Sequence, residues 1–440
     1  MVSLTLDSAL LGAIVLVLIA LLAVTFTTRP VIAVPLLLLV EWANASFATL
    51  GLIMVGPLHI YPEDILTAAL LVATLLRWLR RGNGLRPPQP LIVLLAIVLL
   101  GMARGAAAFG VQTSVVLGRE MLAMCTVAVF FGTVRVTPKL ILTVRNWLLV
   151  ASAVFLIVAV RFWILHGLDT YAITGTRALN SLQALIVLET TIFVMLFPPF
   201  RSPVFRFITP LVGIVIVLLS IQRTVWAAGV VAIAILVVAG KKSRGTTSRA
   251  ARRLVMVAAV FAVVLLVAAG PSGVTSSLTV GIQQTSTSQN STFSWRLQGW
   301  SVLISRQIDG PTVDFVLGSP TGTGYERIIG GNTVTVGPHS EYVSALDLTG
   351  LVGIALLVWL YAAAFRRCVR RLRSPSPFVG QSALLFIALL ALQLTFFIAY
   401  SEGVLVGIML GLAWGFVHGG DQAPAVGRPE LPMPVTTQRL

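Results

Sequence analysis

The sequence predicts an all-α, polytopic membrane protein of about twelve to thirteen transmembrane helices, with one long extracytoplasmic loop that contains an amphipathic helix. Three observations predict it. The 440 residues are 57% hydrophobic and 10% charged, whereas a soluble domain averages roughly 25% charged. Apolar runs of about 17 to 25 residues recur along the chain, each long enough to cross a hydrocarbon core about 30 Å thick. Lys and Arg collect in alternate connecting loops, as the positive-inside rule requires of cytoplasmic loops.

The apolar spans fall at residues 9–26, 31–50, 65–79, 91–109, 117–134, 140–165, 181–197, 207–221, 224–239, 254–269, 348–365, 379–400 and 403–417. The N-terminus lacks the basic stretch and small-residue cleavage site of a signal peptide, so the first run is expected to stay as a spanning helix. Five basic clusters mark the cytoplasmic side. They are Arg77, Arg80, Arg81 and Arg86; Arg135, Lys139 and Arg145; Arg201 and Arg206; Lys241, Lys242, Arg244, Arg249, Arg252 and Arg253; and Arg366, Arg367, Arg370, Arg371 and Arg373. This alternation predicts four regions: an N-terminal block of spans over 1–269, an extracytoplasmic loop over 270–347, a C-terminal block over 348–418, and a Pro-rich disordered cytoplasmic tail over 419–440.

Net charge is +16, which in a soluble protein raises the question of nucleic acid; here the short basic loops account for it, and no nucleic-acid partner is expected. Cys125 lies in an apolar run and Cys368 in a basic loop, so neither a disulfide framework nor a CxxC motif is available. The four histidines, His59, His166, His339 and His418, match no metal-ligand spacing. Neither metal nor cofactor is expected.

Several arginines lie where the positive-inside rule does not ask for them: Arg104 and Arg119 flanking an outer turn, then Arg177, Arg223 and Arg296, with Arg306 and Arg327 in the long loop. An ionised side chain near the bilayer is costly. A lone one can snorkel to lipid phosphate or to backbone carbonyls. A convergent set suits a diphosphate, because guanidinium makes bidentate bonds to phosphate. In the loop, STFSWRLQGWSVLISRQI puts Leu297, Trp300, Leu303 and Ile304 on one helical stripe, with Trp300 one turn beyond Arg296. The plain alternative is an interfacial helix with basic groups near headgroups.

His339 differs from the other histidines by context. It follows a glycine-rich stretch and precedes Glu341 by two residues; a neutral imidazole there could take a proton from a hydroxyl nucleophile near pH 7. Gly318, Gly322, Gly324, Gly330 and Gly331 would let backbone N–H groups approach a phosphate, although GTG is also common in ordinary turns. Glu63 and Asp64 are expected to cap the start of a span rather than ligate a cation.

The order of these features resembles the O-antigen ligase and O-antigen polymerase superfamily (WaaL/Wzy type). The resemblance rests on SIQRTVWAAG after a span, the R-x-x-x-W pattern of WRLQGW, GTG, PHSEYVSALDLTGLVGIALL, and RALNSLQALIVL at the start of a middle span. Ser340 replaces the Asn that typically follows the histidine, and Tyr342 keeps the aromatic.

The resemblance implies a metal-independent, inverting glycosyltransferase of the GT-C type in the bacterial cytoplasmic membrane, active on its extracytoplasmic face. It implies a polyprenyl-diphosphate-linked glycan as donor and a glycan, lipid or protein hydroxyl as acceptor. His339 would be the general base, with Arg223 and Arg296 on the diphosphate. Arg104, Arg119, Arg177, Asn180, Trp300, Gly322, Gly324, Glu341 and Tyr342 are the expected substrate-binding residues. Two other classes compete. A flippase or transporter of lipid-linked sugars would also want arginines near headgroups, and Glu189 is its clearest mid-span carboxylate. A peptidoglycan polymerase of the shape, elongation, division and sporulation family would want a catalytic loop Asp; Asp309 and Asp314 are present, without that family's surrounding motif.

Overall fold

The computed structural model describes residues 8–46, 53–55, 58–80, 88–167, 176–240, 292–400 and 403–419. The predicted span at 254–269, the basic cluster from Lys241 to Arg253, the first part of the long loop and the tail beyond 419 lie outside the described residues.

The chain is an all-α, multi-pass bundle. Its helices are α1 (Ser8–Thr28), α2 (Ala33–Ser46), α3 (Pro62–Leu79), α4 (Gln89–Phe109), α5 (Val111–Gly132), α6 (Pro138–His166), α7 (Ser181–Leu196), α8 (Pro203–Leu219) and α9 (Arg223–Gly240), then α10 (Thr292–Asp309), α11 (Thr312–Leu317), α12 (Glu341–Arg371), α13 (Pro377–Phe396) and α14 (Val404–Gly419). Two short antiparallel hairpins complete it, β1 (Ile53–Val55) with β2 (Leu58–Ile60), and β3 (Arg327–Ile329) with β4 (Asn332–Val334). Each of the predicted spans inside the described residues falls on a helix. Among the described residues 7 helices are long and apolar enough to cross a membrane, namely α1, α4, α5, α6, α9, α12 and α13; α2, α7, α8 and α14 are shorter and apolar. The sequence count of twelve to thirteen is thus met by length and composition for 7. Helix α3 carries Glu63, Asp64 and Arg77 and does not qualify on composition.

Leu16, Ile157 and Ile164 are each more than two-thirds exposed on α1 and α6, the pattern of a lipid-facing wall. Helices α5, α13 and α14 form the centre, with Phe130, Phe131, Phe386 and Leu410 fully buried. Lipid tails are as apolar as leucine, so such helices associate through close packing. Gly403, Gly407, Gly411 and Gly415 supply it: a Cβ at these positions would sit 2.9, 2.6, 2.6 and 2.4 Å from the carbonyl oxygens of Glu120, Met124, Ala128 and Val134. The four-residue spacing puts Gly407, Gly411 and Gly415 on one face of α14, with Gly403 just before its first turn, and α5 lies in that groove.

Basic residues close one end of the bundle. Arg77 donates to the carbonyls of Thr133 and Thr27, Arg145 to Phe197, and Arg371 to Phe416 and Val417. Each therefore satisfies carbonyls that a helix end leaves without an intrahelical donor. At the opposite end the chain departs from regular helix. Helix α12 is broken at Gly350 (φ 63°, ψ −165°), which separates a short N-terminal arm from the long span. A Cβ on Gly350 would lie 2.5 Å from Gly318 N, and one on Gly318 would lie 2.3 Å from the carbonyl carbon of Leu348. Through that gap runs the GSPTG segment, with Ser319 N donating to Asp347 O (2.7 Å) and Thr321 N to Gly101 O (3.1 Å).

Candidate active site

The site is built at the irregular end by α10, the β3–β4 hairpin and the short arm of α12. Helix α10 buries Leu303 and Gly299 beneath the hairpin and leaves Leu297 exposed. Trp300 Nε1 donates to Pro338 O at 2.7 Å, so the helix grips the residue immediately before His339. His339 itself has φ 51°, a left-handed conformation uncommon for a residue with a Cβ and held only where surroundings over-determine it. On its other side the chain is sewn to the end of α13. Ser340 Oγ and Glu341 N donate to Phe397 O (3.3 and 3.0 Å), Tyr342 Oη donates to Leu394 O (2.7 Å), and the Tyr342 ring meets Phe397 edge-on. Ser340, where the resemblance expects Asn, therefore serves the backbone of α13.

Arg296 projects from α10 to the same place. Its Nη1 donates weakly to Ala399 O (3.4 Å), its guanidinium lies 5.3 Å from the centre of the Tyr400 ring, and its buried Nε has no hydrogen-bond partner. The His339 imidazole is exposed on one side. Desolvation on its inner side, then the positive charges of Arg296 and Arg327, hold its pKa below the ordinary histidine value. At pH 7 it is neutral, the form that accepts a proton. Desolvation and the nearby carboxylates push the Tyr325 hydroxyl, in the same loop, well above its usual range.

Arg223 opens α9, directly after a tight corner. Ile221 there has φ 55°, and Gln222 is pinned by donating to Leu179 O (2.7 Å) and accepting from Ser181 Oγ (3.0 Å). That joins the corner to the start of α7, so Arg223 and the segment Arg177–Asn180 share one edge. Asn180 caps α7: its Oδ1 accepts from Gln183 N (2.8 Å), and its own N–H donates to Gln183 Oε1 (3.0 Å), a reciprocal cap. At the far end of α9, Gly240 faces Leu384 on α13. Helices α9 and α13 are therefore neighbours, and Arg223 lies at the end of α9 opposite Gly240.

The two arginines that flank the α4–α5 turn are occupied by carboxylates. Arg104 forms an ion pair with Asp314 and donates to Gly318 O (2.8 Å). Arg119 donates to Asp64 Oδ1 (2.7 Å) with its guanidinium 4.0 Å from the Tyr61 ring centre, while its buried Nη2 has no hydrogen-bond partner. Asp64 also accepts from Tyr61 N (2.9 Å), the helix cap expected of it. Of the predicted glycines, Gly322 (φ 123°) is pressed on Phe109, whereas Gly324 (φ 77°) has open space around it. Its carbonyl accepts from Arg306, which also pairs with Asp347 (3.0 Å). Glu341 is 5% exposed and faces the charge of Glu120. The structure thus brings His339, Arg296, Trp300, Glu341 and Tyr342 together, sets Arg223 beside the segment that holds Arg177, and gives Arg104, Arg119, Asn180 and Gly322 bonds or contacts that hold the frame.

Gly299, for which the sequence suggests no role, and Arg327, noted there only as one of the misplaced arginines, meet beside these residues. A Cβ on Gly299 would sit 2.7 Å from Arg327 Nε. The signal was a glycine inside an otherwise good helix, a costly choice unless something approaches it closely. Apolar cavities of about 150 and 180 Å³ lie instead between α6, α7 and α8 and between α2 and α6, and neither is lined by a residue of the site. Among the described residues no group of three or more His, Cys, Asp or Glu side chains is placed to hold a metal.

No family model matches the chain, and no curated protein matches it. What fold and geometry define is an all-α, multi-pass membrane protein with a polar, arginine-bearing site at one end of its bundle.

Proposed function

We propose that this protein is a membrane glycosyltransferase that moves a glycan from a polyprenyl-diphosphate donor to an acceptor hydroxyl, as the resemblance to O-antigen ligases and polymerases implies. The observation that carries the reading is the convergence of a neutral His339 and an Arg296 whose Nε is unpaired at one corner of the irregular end. In this reading His339 takes the proton of the acceptor hydroxyl while its oxygen attacks the anomeric carbon from the face opposite the diphosphate. The anomeric carbon–oxygen bond then breaks, and the electron pair leaves with the diphosphate. Arg296 and Arg223 stabilise that charge, and the anomeric centre inverts. A diphosphate is already a good leaving group, so two guanidiniums and a base suffice without a metal. Arg177, Gly324, Trp300, Glu341 and Tyr342 line the approach, and Arg104, Arg119, Asn180 and Gly322 hold its walls. The membrane is the bacterial cytoplasmic membrane, all the apolar helices and α3 span it in a GT-C arrangement, and the site faces away from the cytoplasm, opposite the arginine-capped end. The acceptor is a glycan, a lipid or a protein.

The experiment is transfer by purified protein in nanodiscs from a polyprenyl-diphosphate glycan, reading release of polyprenyl diphosphate with and without EDTA. Release that persists in EDTA and disappears in His339→Ala, Arg223→Ala and Arg296→Ala is expected. Full activity of His339→Ala would remove its role as base. A flippase is the second reading, favoured by Glu189, which is fully buried in the bundle against Gln393 (3.5 Å), itself bonded to Tyr361. Movement of donor across vesicles without release of polyprenyl diphosphate would select it.

A further inference from the structure

Arg327 opens β3 and is 3% exposed. Its Nη1 donates to Tyr325 O at 2.7 Å and to Val336 O at 2.8 Å, which fastens together the two ends of the hairpin segment that leads into His339. The guanidinium is 5.8 Å from the centre of the Trp295 ring and rests on Gly299, where a side chain would meet Arg327 Nε at 2.7 Å and Ile329 Cδ1 at 3.1 Å. Next along α10, Trp300 holds Pro338 O. One helix face, Trp295, Gly299 and Trp300, therefore grips the loop at both ends. Arg327 Nε is buried and has no hydrogen-bond partner. The two closing bonds use Nη1 alone, so closure does not account for the buried Nε donor, which is costly to leave unpaired.

We propose that Arg327 is a positioning residue for His339: it locks the loop against α10 in the geometry that forces His339 into its left-handed conformation, and Gly299 is the seat that admits it. Its role in transfer rests on His339 being the base. The charge acts on the imidazole as well. Of the charged groups around the ring, Arg296 from α10 and Arg327 from β3 bear on it, whereas Glu341 from α12 faces Glu120 of α5. Arg327 thus supplies geometry and, after desolvation and Arg296, the smallest of the three effects that lower the imidazole pKa.

The test uses the full chain in nanodiscs with ¹³C-labelled histidine, the His339 resonance being identified by its loss in His339→Gln, together with amide exchange over 325–340. In Arg327→Gln the His339 titration should move to higher pH, protection of 336–340 should fall, and kcat should drop about 100-fold, as a misplaced base demands, with KM for the donor within about twofold. Arg327→Lys should keep the low titration but not the protection, because an ammonium cannot serve both carbonyls in the same fork. Gly299→Ala, which leaves the charge in place and is expected to fold, should also lose protection. An unchanged titration and unchanged exchange in Arg327→Gln would overturn the proposal, as would wild-type protection in Gly299→Ala. A raised KM with an unmoved titration would also overturn it, making Arg327 a ligand contact. If the wild type transfers nothing, titration and exchange still decide the role of Arg327, so the two readings fail separately.

Discussion

At the scale of single residues, His339 combines a strained backbone with an electrostatic setting that favours the neutral ring. Its pKa is depressed, so the neutral ring that the proposed mechanism needs is present above that lowered value and is lost as pH falls through it. Transfer is therefore expected to hold at pH 7 and to decline only below the ordinary histidine value of about 6.5; a pH profile of kcat/KM checks this, and a decline centred above that value would contradict it. The same sign makes protonation of His339 destabilising at low pH. His339→Gln should lower kcat by about 10² to 10⁴, the usual worth of a general base. Asn180 belongs to a different category. Its side chain closes the first turn of α7, so Asn180→Ala should cost about 1 kcal/mol of stability, while Asn180→Asp or Ser should cost little. Thermal unfolding of the three variants in one detergent distinguishes a cap from a ligand contact.

At the scale of elements, two devices place the site. One is the break in α12, where Gly350 and Gly318 touch backbone to backbone. Gly350→Ala puts a Cβ at 2.5 Å from Gly318 N and on a positive φ, so the GSPTG segment must move and carry Arg306 and its Asp347 partner with it. The expected result is a loss of activity larger than the loss of thermal stability. The other is the glycine stripe of α14. Gly407→Leu or Gly411→Leu would wedge α14 off α5 and should destabilise the bundle by at least about 1 to 3 kcal/mol, the range for overpacking a filled core, read as a lower unfolding temperature with α-helical content retained. The repeat at 403, 407, 411 and 415 was visible in the sequence as a four-residue spacing. Apolar windows score α14 only as a span, so they miss which face it shows its neighbour.

For the whole molecule, the bundle has two unlike ends. At one, Arg77, Arg145 and Arg371 are consumed by helix-terminal carbonyls; at the other lie Arg177 and Arg223, at the starts of α7 and α9, and Arg296 in the first turns of α10. The proposed orientation predicts that a cysteine at Gly324 is labelled by an impermeant maleimide from outside intact cells and one at Arg206 only after permeabilisation. Cys125 and Cys368 are fully buried, so they should not compete for label. Reversed labelling would invert the assignment and place the site in the cytoplasm.

The sequence by itself determined the class of protein and the positions of its helices, because membrane insertion depends on apolar length, a local property that windows along the chain capture. It also singled out His339, Arg223 and Arg296 as side chains out of keeping with their surroundings. Tertiary structure alone decided which of these arginines are paired with a carboxylate. Arg104 and Arg119 look like Arg296 in sequence, yet Asp314 and Asp64 reach the first two from 210 and 55 residues away. The same holds for Gly299 and Arg327, 28 positions apart and in contact. Pairing across the chain depends on which helix faces meet, and hydrophobic patterning is indifferent to that choice until packing makes it.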